Sequence, residues 1–188
     1  MNNRVLVVDL LSLMCIESIG NGSVGLVDGP FSEASFHQPA VCVTLLTTYM
    51  QGMCHVYREK QHFVYVCDKK NHAVREVNLS KKEVLTVVGT GEEGIDLEGN
   101  KKPSEQTLSY PSDVIAINRE TLLVAVAGCN QIWALSLANN RCFSFCGSGE
   151  MGNQCSQSDL KQCKLKAPSA LALGVMPTKT EVFVAVHT

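Results

Sequence analysis

The chain has 188 residues, 45% of them hydrophobic and only 18% charged, which is material for one domain with a packed core and excludes wholesale disorder. Sixteen basic residues stand against 18 acidic ones, for a net charge of −2. That balance lacks the basic stripe that phosphate neutralisation requires, so nucleic acid and membrane surfaces are not expected as partners.

Taken from the start, the first apolar run is Val5 to Ile16. Asp9 interrupts it and no small-residue cleavage site follows, so it reads neither as a secretory leader nor as a membrane span. The expected compartment is therefore the cytoplasm, where the sequons at Asn21 and Asn78 carry no meaning. Next come strand-like runs rich in Val, Leu, Phe and Tyr: Val41–Leu46, then Phe63–Cys67, Ala73–Leu79 and Val84–Val88. The stretch Thr47–Gln61 is expected as an inserted loop. Further on are Val114–Ile117 and Leu122–Val126, and near the end Ala170–Leu173 and Val182–Val186. All are too short for helices.

The runs recur in order. Asn3-Arg4-Val5-Leu6-Val7 aligns with Asn71-His72-Ala73-Val74-Arg75 and with Asn130-Gln131-Ile132-Trp133-Ala134. A Gly-x-Gly follows each window, beginning at Gly20, Gly89 and Gly147, and an apolar-x-x-Pro follows that, ending at Pro39, Pro111 and Pro168. The Asn spacings are 68 and 59 residues, the glycine spacings 69 and 58, and the proline spacings 72 and 57. Markers moving in step define a repeat, and four short strands per unit is the signature of propeller blades. The fold class is all-β: a partial β-propeller forming an open arc, about three blades' worth of four-stranded antiparallel sheets. Its expected parts are 1–22 (the end of a blade), 39–91 (a blade with inserted loop 47–61), 111–149 (a blade) and 168–188 (the start of a blade). Weak polar/apolar alternation in Leu122-Leu123-Val124-Ala125-Val126 fits sheets buried on both faces.

The segment Tyr65-Val66-Cys67-Asp68-Lys69-Lys70-Asn71-His72-Ala73-Val74 resembles the Tyr-Val-x-Asp-x-x-Asn-His-x-Val pattern of the NHL-repeat β-propeller family. The likeness extends over essentially the whole chain, through Asp28–Phe36, Gly94–Gly99, Ala127–Leu135 and Phe145–Gly149. The resemblance implies a propeller of about six blades, preceded in the member most resembled by a thioredoxin-like domain. No trace of that domain is seen, so the chain reads as a truncated fragment. An open arc would also leave sheet edges available for self-association.

No residue pattern calls for catalysis, a cofactor or a metal. The five histidines are scattered, and His72 is expected to satisfy a turn. Gly89–Gly94 matches Gly-x-Gly-x-x-Gly, but an acidic loop follows where a dinucleotide site needs a helix. Nine cysteines, the densest group being Cys142, Cys146, Cys155 and Cys163, contain no Cys-x-x-Cys and are expected as reduced structural thiols. Trp133 is expected in the core between blades. The expected function is that of a non-catalytic scaffold that binds a protein partner on the face carrying the long loops 22–38, 68–71, 89–108 and 149–165. Candidate partner-binding residues are Asp28, Glu33, Asp68, Glu92, Glu93, Asp96 and Glu98, an acidic set suited to a basic partner. The alternatives are a lyase-type metalloenzyme or an RNA-binding module, both known among NHL propellers, or a truncated product without function.

Overall fold

A computed structural model describes residues 2–40, 53–176 and 179–186. Strands β1 (Asn3–Asp9) and β2 (Met14–Gly22) form a two-stranded sheet. Strands β4 (Met53–Arg58), β5 (Gln61–Asp68), β6 (Ala73–Asn78) and β7 (Glu83–Val88) pair in order, and a two-residue strand, β3 (Gly29–Pro30), lies outside β7. Strands β8 (Pro111–Ala116), β9 (Thr121–Val126), β10 (Gln131–Ser136) and β11 (Arg141–Cys146) form the next sheet. Strands β12 (Ala170–Met176) and β13 (Lys179–Ala185) form the last. All strand pairs are antiparallel. The innermost strand β8 lies against β4 on one side and β12 on the other, so the sheets fan out from a common axis. The result is an open, partial β-propeller.

Sheets of two, four, four and two strands follow one another along the described chain, with β3 as an addition from a crossover loop. The inserted loop is corrected in its second half. Met53–Arg58 is the blade's innermost described strand, joined to β5 by a two-residue hairpin at Glu59-Lys60. Both turn residues are left-handed, at φ 53° and 63°, the geometry a tight antiparallel hairpin needs. Val56 anchors the strand in the core. The expected strand Val41–Leu46 lies outside the described residues.

Side chains alternate between two cores along the middle strands. On β5, Phe63, Tyr65 and Cys67 face β8–β11, while Val64 and Val66 face β1–β2. On β9, Leu122, Val124 and Val126 face β4–β7, while Leu123 and Ala125 face β12–β13. Each of the two full blades is therefore buried on both faces, and this is why these strands read as unbroken apolar runs. Trp133 is 1% exposed in the core between the two full blades, as expected, and its indole donates to Gln131 Oε1 at 3.0 Å.

Blades are joined by a clasp that appears three times. The backbone N–H just before each blade-opening proline is donated to a side chain of the preceding blade: Gln38 N to Asn3 Oδ1 at 3.2 Å, Tyr110 N to His72 Nδ1 at 3.2 Å, and Ala167 N to Asn130 Oδ1 at 3.0 Å. The donors Gln38, Tyr110 and Ala167 have φ of 54°, 51° and 42°, a strained choice for residues with a Cβ. His72 and Asn130 are also left-handed, each closing a 3₁₀ turn. The clasp sets the true register of the repeat: His72, not Asn71, is the counterpart of Asn3 and Asn130. The intervals become 69 and 58 residues, identical to the glycine spacings. Gly147 shows why those glycines are needed, since a Cβ there would meet the Asn130 carbonyl oxygen at 2.6 Å with φ at 105°.

The crossover loops also guard exposed edges. Gly29 and Pro30 pair with Val84 and Glu83, and Gly99 bridges Phe143, so the loop leaving each blade runs along the outermost strand of the next. Those strands no longer offer free backbone groups along their whole length.

A clasp made by histidine must be neutral at Nδ1 to accept. Burial pushes the His72 imidazole below its usual value; Glu93 opposes this, and Lys70 and His37 add to it. Its contribution to stability is therefore complete above about pH 6.5 and is lost as acid protonates the ring. His72→Asn keeps both an acceptor and a residue suited to the left-handed region. Urea unfolding is expected to show the variant equal to the parent near about pH 8 and more stable near about pH 5.

Candidate partner-binding face

Three crossover loops are built alike. In each, a parallel bridge ties the outgoing arm to the returning one: Val24 to Phe36, Glu93 to Leu108 and Met151 to Leu165. A turn at the far end folds back on the Gly-x-Gly, with Gly20 N on Phe31 O at 2.8 Å, Gly89 N on Pro103 O at 3.1 Å and Gly147 N on Leu160 O at 3.0 Å. The turns joining the second and third strands of a blade meet the same loops: Asn71 Nδ2 donates to Gly25 O at 2.7 Å, and Gly128 N donates to Ser109 O at 2.9 Å. Loops and turns thus share one face.

The candidate carboxylates separate into three environments. Glu33, Glu92 and Glu93 are exposed on the loops themselves. Glu93 accepts from Tyr110 Oη at 3.2 Å and Ser109 Oγ at 3.4 Å, and Lys70 Nζ lies 5.3 Å from the centre of the Tyr110 ring. Glu93 raises the Tyr110 phenol above its usual value.

Asp96 and Glu98 lie where the loop turns down the outer edge of β11. Glu98 is exposed, and its carbonyl takes the Ser144 amide at 3.5 Å. Asp96 is a loop pin: Oδ1 accepts from Glu98 N at 3.0 Å and Gly99 N at 2.9 Å, and Oδ2 is 2.9 Å from Lys101 Nζ. Partial burial pushes its carboxyl up, but Lys101, the Gly99 and Glu98 amides and Gln106 together bring it down to about 2.

Asp68 and Asp28 belong to a network that the sequence reading missed. Asp68 has no exposed surface, which removes it from any partner-binding set; this corrects the expectation. Its Oδ2 is 2.9 Å from Arg75 Nη1 and 2.7 Å from Asn71 Nδ2, and its Oδ1 accepts from His37 N at 2.7 Å. Burial pushes Asp68 up, while the His37 amide, Asn71 and Arg75 pull it down. Arg75 is equally buried, donates to the carbonyls of Ser35 and Val27, and reaches Asp28 Oδ1 at 2.8 Å. Asp28 in turn accepts from Thr86 N and Oγ1, at 2.9 and 2.8 Å. These bonds lash loop 22–38 to the blade that follows it. The clue lay in the strand Ala73-Val74-Arg75-Glu76-Val77, where a guanidinium interrupts an apolar run and requires a buried acid.

A groove of about 310 Å³ opens between the full blades, with Arg58, Glu76, Thr86, Pro103, Leu135 and Asn140 in its lining. Glu76 Oε2 accepts from Arg58 Nη2 at 3.1 Å and from Tyr65 Oη at 2.6 Å. Among the described residues, no three His, Cys, Asp or Glu side chains are grouped to hold a metal, and no helix is long and apolar enough to cross a membrane.

Four-stranded sheets sharing an inner axis, clasped blade to blade, define a β-propeller module. The chain is 33% identical over 171 residues to NHL repeat-containing protein 2 of Gallus gallus, covering 81% of this chain and 21% of that one. It is 36% identical over 155 residues to the Bos taurus protein of the same name, covering 73% and 19%. It is also 33% identical over 173 residues to the chloroplastic Protein SUPPRESSOR OF QUENCHING 1 of Arabidopsis thaliana, covering 90% and 15%. No family model matches the sequence. The chain is thus similar to NHL-repeat proteins over most of its own length and spans 15–21% of the length of these relatives.

The repeat supplies its own control for the buried network. In the next blade the positions of Asp68 and Arg75 are held by Val126 and Trp133, both buried. Arg75→Leu strands a buried carboxylate and is expected to cost about 3–5 kcal/mol. The double variant Asp68→Val/Arg75→Leu is expected to recover much of that loss, read as the shift of the urea unfolding midpoint between the single and double variants.

Proposed function

We propose that the chain acts as a non-catalytic protein-interaction scaffold in the cytoplasm and captures a basic or mixed-charge protein segment on its long-loop face. The observation that carries this reading is the exposed carboxylate pair Glu92 and Glu93. It sits on a loop fixed at both ends by backbone bonds, so presenting it costs little ordering entropy on binding. Glu33 and Glu98 extend the negative surface along the same crossovers. Seven cysteines are free thiols in the structure, which suits a reducing compartment.

Charge reversal of Glu92, Glu93 and Glu98 is expected to weaken partner capture and flatten its salt dependence, because exposed charges act mainly through long-range attraction. Pull-downs across a salt series measure both, and capture equal to the parent's at every salt concentration counts against the reading.

Self-association through open sheet edges belongs to the same proposal. Among the described residues the edge of β1 away from β2 has no strand beside it, and Leu6, Val8, Leu11 and Met14 are exposed nearby. Sedimentation of the chain is expected to show mass rising with concentration; a monomer throughout removes this part.

A further inference from the structure

The fold sorts the four closely spaced cysteines into two places. Cys142 is buried in the core between the two full blades. Cys146, Cys155 and Cys163 gather where crossover loop 149–165 folds back on the end of β11. Cys163 has no exposed surface, and Cys146 packs against its cluster. Ser148 N donates to Cys163 O at 2.8 Å, which holds the returning arm of the loop against that strand end.

The two arms lie side by side, tied by the Met151–Leu165 bridge and by Lys164 N, which donates to Gln154 O at 2.7 Å. Ser156 N donates to Cys163 Sγ at 3.3 Å, and that sulfur reaches the Ser156 carbonyl at 3.8 Å. The Cys163 sulfur thus lies against the backbone of the residue that directly follows Cys155. Cys155 is open to solvent and Cys163 is shielded behind it. A hydrogen bond with Cys163 raises the Cys155 thiol above its usual value; burial, followed by the influence of Cys163, carries Cys146 up to about 12.

We propose that Cys155 and Cys163 form an oxidation site at which a low-molecular-weight disulfide or a peroxide closes an intramolecular disulfide across the loop. With glutathione disulfide, the Cys155 sulfur gives up its proton, attacks one glutathione sulfur and expels a thiolate. The Cys163 sulfur then gives up its proton, attacks the mixed disulfide at Cys155 and expels the second glutathione. One S–S bond breaks and one forms, the protein sulfurs lose two electrons, and the two glutathione thiolates take up the two protons. Because both cysteines react as thiolates, closure speeds up as pH rises. The new bond ties the arms on either side of the 3₁₀ turn Leu160–Gln162, so that this turn no longer opens away from β11.

The test oxidises the reduced 188-residue chain with glutathione disulfide and maps unreduced tryptic peptides by tandem mass spectrometry, whose fragment ions separate Cys146 from Cys155 on their shared peptide, residues 142–161. The expected product links the Cys155 and Cys163 peptides. Cys15, exposed on β2, carries only a glutathione adduct. Cleavage at Lys161 is expected to slow in the oxidised chain. Cys155→Ser replaces an exposed residue and leaves the core intact, and it is expected to lose the link while Cys163 remains a thiol. A link between Cys146 and Cys163, in either the parent or the variant, overturns the assignment. So does glutathione on Cys155 with Cys163 left reduced.

Discussion

Adjacent blades in this arc are held in register by one backbone N–H apiece. The donors Gln38, Tyr110 and Ala167 adopt a left-handed backbone directly ahead of a proline, a conformation that costs on the order of 1–3 kcal/mol wherever a Cβ is present. Each is stabilised by an acceptor on the preceding blade, at Asn3, His72 or Asn130. The acceptors at His72 and Asn130 are themselves left-handed and end a 3₁₀ turn. Two strained positions and one hydrogen bond between them thus define where one sheet ends and the next begins. The glycines, the prolines and the sheet-on-sheet cores all take their positions from that junction.

The same architecture solves one interior problem in two chemically opposite ways. Between the β1–β2 sheet and the blade after it, Arg75 and Asp68 form a fully buried ion pair with hydrogen bonds on nearly every available atom; of the pair, Arg75 Nε alone lacks a partner among the described residues. One blade further on, Trp133 and Val126 fill the equivalent positions with apolar volume. The ionic version ties loop 22–38 down through Asp28, whereas the counterpart loop 89–108 is held by the Asp96 pin and by Gln131 Nε2, which donates to the Leu97 carbonyl at 3.1 Å. Local repeat identity therefore does not dictate how each loop is anchored.

Much of this was legible in the sequence. The glycine pairs and prolines marked the blades because each answers a steric demand that few other residues meet. The Asn-based alignment slipped by one residue at Asn71 because both Asn71 and His72 are polar turn residues, and only the acceptor geometry tells them apart. Strand β4 was hidden because its hairpin uses Glu59-Lys60 where Asn-Gly would have announced it. The acidic candidates divided for a related reason. A carboxylate in a loop gives no sign of whether its partner is solvent, as for Glu92, a neighbouring amide, as for Asp96, or a guanidinium seven residues away across a hairpin, as for Asp68.

Because Gly29–Pro30 lies along β7 and Gly99 along β11, every full sheet wears a cover woven by its neighbour upstream. Damage to a crossover is accordingly felt one blade downstream, where amides and carbonyls fall bare. A clipped 89–108 segment would uncover β11 while its own sheet stayed whole, turning a closed flank into a template for foreign strands. Directionality of this kind gives the arc a weather side and a lee side, although its blades repeat.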